Sequence, residues 1–322
     1  MRRLLRNAGL WVMVVAVLPL QAHAARMLVP VGKVIGLQLQ NDTLTVAAYD
    51  DIWGEAARNA GLKIGDEIVA VNGCNVSCAE EILSVLSSVQ PPVELTVRRG
   101  SKLNHLQMTP QQTKDGPRMG VYLRQGISGI GTVTFYDPET GLFGTLGHGV
   151  SDRAGNLLQM TRGEAWEAQV ISVKKGKSGD PGQLKGSAEG AAGFGSLLCN
   201  TPQGVFGTTR YGWPGDSVPT AEYDEITAGS SRIRCQVDGE AVRDYSAEIL
   251  KIYPETRTDG RNFLIKITDP ALLAATGGIV QGMSGSPIIQ DGKLVGAVTH
   301  VLVNDPTRGY GIFIENMLDA AE

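Results

Sequence analysis

Apolar and polar residues alternate in short runs along most of this chain, and glycines separate the runs. Residues 33–39 and 93–97 alternate as strands do, whereas residues 79–89 carry apolar side chains at helical spacing. Further strands are predicted at residues 129–136, 166–174, 205–211, 246–253, 262–268, 294–303 and 309–314. Many short strands with turn signals between them predict a mainly β protein that contains a barrel or a sandwich.

The composition agrees with this pattern and sets limits on function. Glycine supplies 41 of the 322 residues, well above the typical fraction of about 7%. The net charge is −4, and it becomes −7 without residues 1–24, which carry three arginines and no acid. An acidic protein without a basic run is a poor nucleic-acid binder, so we expect no nucleic-acid partner.

The N-terminus has the charge, the length and the cleavage site of an export signal. A basic start leads into an apolar run, and Ala22-His23-Ala24 forms an A-x-A cleavage site. Residues 1–24 are therefore predicted to be a signal peptide. The alternative is an uncleaved anchor that tethers the protein to a membrane, although eleven apolar residues barely span a bilayer.

Four cysteines fall at Cys74, Cys78, Cys199 and Cys235. An even count in an exported protein permits two disulfides, one of them local and one in the C-terminal half. A zinc site is the rival interpretation, but only His105 lies near the first pair in sequence. We expect no metal and no cofactor.

Residues 30–110 form one predicted unit. The sequence AARNAGLKIGDEIVAVNG at residues 56–73, after VIGLQL at residues 34–39, resembles a bacterial PDZ domain. The resemblance implies that a ligand peptide adds as a strand beside Val34, Ile35, Gly36 and Leu37, with a helix over residues 80–86 opposite. Residues 111–118 are polar and are predicted to be a linker.

The sequence QGMSGSP at residues 281–287, followed by a glycine-punctuated hairpin, places a serine between small residues. Such a turn can present Ser284 as a nucleophile and leave the N–H groups of Gly282 and Ser284 facing an oxyanion. A plain Gly-Ser turn between strands is the alternative.

A serine nucleophile needs a base, and this chain has four histidines. His23 lies in the leader, and His105 lies at the edge of the PDZ-like unit. His148 is flanked by glycines directly after a strand and is the favoured base. His300 follows the strand after the serine turn, so we expect it to line the pocket wall, with Thr299 and Val301 on a substrate-pairing strand.

The sequence alone leaves open which carboxylate orients the histidine base. Asp269 ends a predicted strand and precedes Ser284 by fifteen residues, where it could fix the tautomer of the histidine. It could equally cap a helix that begins at Pro270. Asp152 and Asp244 are weaker rivals.

Two long segments resemble the SpoIVB-type sporulation serine peptidase family. They are GIGTVTFYDPETGLFGTLGHGVSD at residues 129–152 and TGGIVQGMSGSPIIQDGKLVGAVTHVLVNDPTRGYGIFIENML at residues 276–318. The resemblance implies an N-terminal PDZ domain followed by a trypsin-like double β-barrel peptidase domain at residues 119–322. It also implies a triad of His148, Asp269 and Ser284, with an Asp-to-Ser spacing that is short for a trypsin-like enzyme.

The same resemblance implies a function. The protein would be exported to the space between the two membranes of a developing spore, where it cleaves a membrane-anchored regulatory protein, and itself, to pass a developmental signal. The alternative is a non-catalytic PDZ adaptor, a binding protein that carries an inactive peptidase-like domain. An α/β-hydrolase is excluded because Gly-x-Ser-x-Gly requires glycine where Ser286 stands.

Overall fold

The computed structural model describes residues 25–152, 155–187, 192–239, 241–254, 256–257 and 259–322. The predicted signal peptide or anchor at residues 1–24 lies outside the described residues. Within the described ranges, no helix is long and apolar enough to cross a membrane.

The chain is mainly β, which confirms the predicted fold class. The strands are β1 Met27–Pro30, β2 Val34–Tyr49, β3 Glu67–Val71, β4 Cys74–Asn75, β5 Val93–Arg99, β6 Lys102–Met108, β7 Gln111–Thr113, β8 Gly116–Arg118, β9 Val121–Tyr136, β10 Leu142–Thr145, β11 Arg162–Glu167, β12 Gln169–Lys174, β13 Gln183–Ser187, β14 Gly193–Thr201, β15 Gly204–Thr209, β16 Val218–Pro219, β17 Gly229–Asp238, β18 Ala241–Ile252, β19 Phe263–Ile267, β20 Pro287–Gln290, β21 Lys293–Val301 and β22 Arg308–Phe313. The helices are α1 Gly54–Asn59, α2 Ala79–Ser88, α3 Pro270–Thr276 and α4 Ile314–Asp319, with one 3₁₀ turn at Tyr223–Glu225.

Two six-stranded barrels lie in series along the chain. The first closes in the order β2-β9-β10-β15-β14-β11, because β2 pairs with both β9 and β11. Its core side chains Ile35, Val133, Phe143 and Val205 are fully buried. The second barrel closes in the order β17-β18-β19-β22-β21-β20. At its centre the rings of Phe263 and Phe313 meet edge to face, with centroids 4.5 Å apart.

A third hydrophobic core belongs to the PDZ unit, which is inserted between two strands of the first barrel. Strands β2 and β9 have 16 residues each and run through both units. Residues 34–39 pair with residues 127–132 in the barrel, whereas residues 44–49 pair with residues 121–125 in the PDZ unit. The PDZ core extends from Leu44 to Met119 and includes buried Ile82 and Leu86 of α2.

These boundaries differ from the predicted ones at both ends of the PDZ unit. Residues 34–39 belong to the barrel rather than to the predicted PDZ range of 30–110. The predicted linker at residues 111–118 is a hairpin of β7 and β8 with Pro117 buried. An alternating run that contains a glycine fits either sheet equally well, so local sequence could not assign it to one of them.

Candidate active site

The turn that carries Ser284 belongs to the second barrel but is held by a strand of the first. Thr132 of β9 donates its backbone N–H to the Ser284 carbonyl at 3.0 Å and its hydroxyl to the Gly282 carbonyl at 2.8 Å. The Thr134 hydroxyl donates to the Gly285 carbonyl at 2.8 Å. Both threonines are buried, so water does not compete for these hydrogen bonds. The bonds fix the turn where the two barrels meet.

Gly285 allows this close approach. Its φ is +95°, and a Cβ at this position would collide with the Thr132 carbonyl oxygen. Only glycine accommodates both the backbone conformation and the contact. The glycine that follows the predicted nucleophile is therefore required by the contact between the barrels.

Two N–H groups of this turn are free to bind an oxyanion. The N–H groups of Met283, Gly285 and Ser286 donate to backbone carbonyls, whereas those of Gly282 and Ser284 have no acceptor among the described residues. Gly282 has a φ of +98°, which turns its peptide away from the regular path of the chain. The predicted oxyanion donors are thus the unbonded pair in an otherwise bonded turn.

His148 lies on the loop that follows β10. Leu146 and Gly147 both have left-handed backbones, with φ of 70° and 68°, and they turn the chain back toward β21. A positive φ at a buried leucine is strained, and such strain is concentrated at functional sites. The loop thereby presents the imidazole of His148 at the junction of the barrels.

The contacts of His148 define its tautomer. Its Nδ1 lies 2.9 Å from the Gly149 carbonyl, so Nδ1 carries the proton and Nε2 remains as the base. Burial lowers the pKa of His148 below 6.5, and the Gly149 bond opposes this effect only in part. The imidazole is therefore neutral near pH 7, as a general base must be.

The serine turn and the loop that carries His148 lie against the same part of β9, because the carbonyl of Thr132 accepts the Leu146 N–H at 3.3 Å while Thr132 holds the serine turn. The Ser284 hydroxyl donates to the Thr299 carbonyl at 2.8 Å. No hydrogen bond joins Ser284 to His148 in the described part of the chain. The hydroxyl therefore has to leave Thr299 before it can donate to the base.

Asp269 lies elsewhere in the second barrel. Its carboxylate caps α3, accepting the N–H groups of Ala271 at 2.9 Å and Leu272 at 3.1 Å, and it accepts the Ser246 N–H at 3.2 Å. Within the described ranges, no hydrogen bond connects it to His148. Of the weaker rivals, Asp244 forms a two-point ion pair with Arg234.

The predicted substrate-pairing residues Thr299, His300 and Val301 end strand β21. His300 and Val301 pair with β22 on one edge, and the described residues provide no strand partner on the other edge of this segment. The His300 ring lies beside that of His148, with centroids 5.4 Å apart. An extended peptide laid along this edge would pass the nucleophile.

A loop that the sequence did not predict borders the open edge of β21. Residues 175–182 connect β12 to β13 and are fastened near the serine turn, since the Gln281 N–H donates to the Gly182 carbonyl at 3.3 Å. The Gly179 N–H donates to the Val303 carbonyl at 2.9 Å, just beyond the open edge of β21. The sequence predicted one strand over residues 166–174, whereas the structure divides it into β11 and β12.

The sequence profile of the SpoIVB peptidase S55 family matches residues 115–318. This chain belongs to that family. It is accordingly a serine peptidase, and the matched range contains the whole second barrel and every strand of the first barrel except β2. No curated protein matches the sequence.

Solved structures match parts of this S55 peptidase. The PDZ domain of an SdrC-like protein from Listeria monocytogenes is 22% identical and covers 26% of this chain and 88% of its own, with a TM-score of 0.23. The active form of the Rv3671c protease from M. tuberculosis is 14% identical and covers 62% of this chain and 73% of its own, with a TM-score of 0.37. Its inactive form is 12% identical and covers 61% and 84%, with a TM-score of 0.35.

The predicted PDZ ligand residues of this S55 peptidase need correction. Val34, Ile35, Gly36 and Leu37 lie in the first barrel, hydrogen-bonded to β9 on one edge and β11 on the other. No edge remains there for a peptide. The error arose because VIGLQL has the glycine and the alternation of a PDZ strand, although its pairing partners are barrel strands.

An open edge of the PDZ unit lies instead at residues 121–124 of β9. This segment pairs with β2 on one side, and the described residues supply no strand on the other. The preceding Met119 and Gly120 have N–H groups without acceptors in the described chain. Gln125 donates to the Ser77 carbonyl at 2.8 Å, which connects this strand to the start of α2. The signal for this edge is GVYLR at residues 120–124, a glycine before an alternating run.

The cysteines and possible metal ligands take no part in the site. Cys74, Cys78, Cys199 and Cys235 are free thiols. Among the described residues, no group of three or more His, Cys, Asp or Glu side chains could hold a metal ion.

Proposed function

We propose that this S55-family protein is a serine endopeptidase in which Ser284 is the nucleophile and His148 is the general base. The observation that carries the proposal is the serine turn itself. The two N–H groups that would bind an oxyanion are unbonded there, while their neighbours are all bonded. The nearby imidazole has its unprotonated nitrogen available.

The reaction is acyl transfer. Ser284 Oγ leaves the Thr299 carbonyl and attacks the peptide carbonyl, while His148 Nε2 takes its proton. The developing oxyanion is bound by the N–H groups of Gly282 and Ser284, and the loss of one such donor typically costs about 10²- to 10³-fold in kcat. His148 then protonates the leaving amine, and water hydrolyses the acyl-enzyme by the same steps in reverse order.

The hydrogen bonds of Asp269 support a capping role rather than the orienting role that the family resemblance implies. Its two carboxylate oxygens accept three backbone N–H groups of the second barrel. A carboxylate held in this way stabilises α3, which precedes the serine turn.

The unit that recruits partners is the PDZ domain. We assign its peptide site to the open edge at residues 121–124, with α2 as the opposite wall. A ligand strand would add beside β9, and its terminal carboxylate would accept the free N–H groups of Met119 and Gly120.

The family supports a role in spore formation, with export and cleavage of a membrane-anchored regulatory protein and of the peptidase itself. The decisive experiment incubates wild type and Ser284→Ala with peptide and protein substrates and sequences the N-termini of the fragments. Loss of Oγ should lower kcat by about 10⁴- to 10⁶-fold.

Ser286→Ala is the matched control, because Ser286 lies in the same turn, is fully buried and has no partner for its Oγ. It should retain cleavage. Equal cleavage by wild type and Ser284→Ala would refute the proposal. If a fluorophosphonate also failed to label wild type, the non-catalytic PDZ adaptor would be the better interpretation.

A further inference from the structure

Two histidines from different barrels face each other at the active site. His148 comes from the loop after β10, and His300 comes from the end of β21. Their ring centroids are 5.4 Å apart, with an angle of 38° between the ring planes. This is contact distance for aromatic rings, so the orientation of one ring limits the orientation of the other.

The His300 ring holds an unpartnered buried nitrogen. Its Nδ1 is inaccessible to solvent and has no hydrogen-bond partner among the described residues. A buried polar atom without a partner is costly and calls for an explanation. A partner that appears only during the reaction is one such explanation.

His300 is suited to accept a hydrogen bond rather than to carry charge. Burial, with smaller contributions from charge on His148 and Arg261, lowers the pKa of His300 to about 4 against the opposing effect of Asp259. His300 is therefore neutral near pH 7, and when His148 becomes an imidazolium the repulsion between the two rings keeps His300 neutral.

His148 has few other groups to hold it. Its own hydrogen bond goes to the carbonyl of the next residue, Gly149, within the same glycine-flanked loop. The carboxylate of Asp269 is engaged at the cap of α3. The group from the second barrel that contacts the His148 ring is the ring of His300.

From this geometry we infer that His300 is a positioning residue for His148. It packs against the imidazole of the base, and its neutral Nδ1 accepts a hydrogen bond from the Nδ1–H of the protonated ring in place of the Gly149 carbonyl, so that Nε2–H stays directed at the leaving amine. The inference rests on the proposed function, because it assigns His148 as the base. It differs from the role of a pocket wall, which the sequence predicted for His300.

A positioning residue and a pocket-wall residue predict different changes in kcat and KM. His300→Phe keeps an aromatic ring but removes the acceptor, and we expect kcat to fall about ten- to a hundredfold with KM changed less than about twofold, as for loss of one hydrogen bond to a charged group. His300→Gln restores an acceptor oxygen and should recover part of kcat. His105→Gln, at an exposed position of β6, is the control and should match wild type.

A wall residue would instead change KM with kcat unchanged, and that result would overturn the inference, as would full kcat in His300→Phe. Thermal melting checks that each variant folds. If His300→Phe does not fold, nitrogen NMR of the full wild-type chain, which has four histidines, still decides. A neutral His300 with its proton on Nε2 at pH 7 supports the inference, and a proton on Nδ1 contradicts it.

Failure of the proposed function is distinguishable from failure of this inference. Wild type that neither cleaves peptides nor reacts with a fluorophosphonate contradicts both. Wild type that cleaves, together with an equally active His300→Phe, contradicts only the positioning role of His300.

Discussion

The hydroxyl of Thr132 donates to the Gly282 carbonyl at 2.8 Å, so a strand of the first barrel sets the position of the oxyanion donors in the second. Thr132 is fully buried, and the same residue also bonds to Ser284 and to the loop before His148. The relative placement of nucleophile, base and oxyanion site therefore depends on one residue of β9.

Thr132→Val should impair both stability and turnover. Valine has nearly the same shape but leaves the buried Gly282 carbonyl without its donor, which costs about 1–3 kcal/mol. We expect a matching loss in the free energy of unfolding by urea and a fall in kcat. Thr132→Ser keeps the hydroxyl and is the control. Wild-type kcat in Thr132→Val would show that the bond does not position the turn.

Gly285→Ala should inactivate the enzyme and destabilise it. The substitution adds backbone strain at a φ of +95° and a collision with the Thr132 carbonyl. Gly292 has a φ of +80° and nothing within 4 Å of an added Cβ, so Gly292→Ala isolates the strain, about 1 kcal/mol. Melting temperature and kcat for the pair measure the difference. Equal losses in the two variants would contradict the close contact at Gly285.

Asp269→Asn should retain activity. Asparagine caps helices as well as aspartate does, so stability near neutral pH should change little, whereas Asp269→Ala should lose about 1 kcal/mol. An orienting acid would behave differently, because its amide typically lowers kcat by about 10⁴-fold. The kcat of Asp269→Asn therefore decides between the cap and the triad acid.

The lowered pKa of Asp269 also predicts that the stability of the protein depends on pH in the acid range. Burial raises its pKa, but the N–H groups of Leu272, Ser246 and Ala271 together outweigh burial and hold the pKa below 3.8. The stabilisation is thus complete above the unfolded value and is lost as pH falls through the lower folded value. Acid titration of wild type and Asp269→Asn should diverge only as the pH falls below the unfolded value of 3.8. Divergence near neutral pH would contradict this assignment.

The pH profile of cleavage should show a pKa for the base, His148, that is below the usual value for histidine. Burial lowers the pKa of His148 beneath 6.5, so the unprotonated fraction, and kcat/KM with it, rises with pH and levels off before a solvent-exposed histidine would. Measurement of kcat/KM between about pH 4 and pH 8 tests this expectation. An acid limb centred at or above 6.5 would show that His148 is more solvated than the structure indicates.

Local sequence was sufficient to nominate as candidates the groups whose chemistry requires particular neighbours. Ser284 needs small flanking residues and His148 needs a backbone that can turn, so both motifs are visible in a short window. The longer helix of the PDZ unit, α2, and most barrel strands also follow from periodicity, because burial of one face imposes the period. The family resemblance implied a PDZ domain before the peptidase domain, whereas the structure inserts the PDZ unit between strands β2 and β9 of the first barrel.

Only the tertiary structure decided which strands share a sheet and which side chains meet. Residues 34–39 have the alternation of a PDZ strand but pair inside the first barrel, and the open PDZ edge lies on β9 instead. The three backbone N–H groups that Asp269 accepts, those of Ser246, Ala271 and Leu272, became known only from the structure. His148 and His300 are 152 positions apart in sequence, and their rings meet because two barrels pack together. Strand pairing and side-chain contact depend on residues distant along the chain, and local patterns carry no information about those partners.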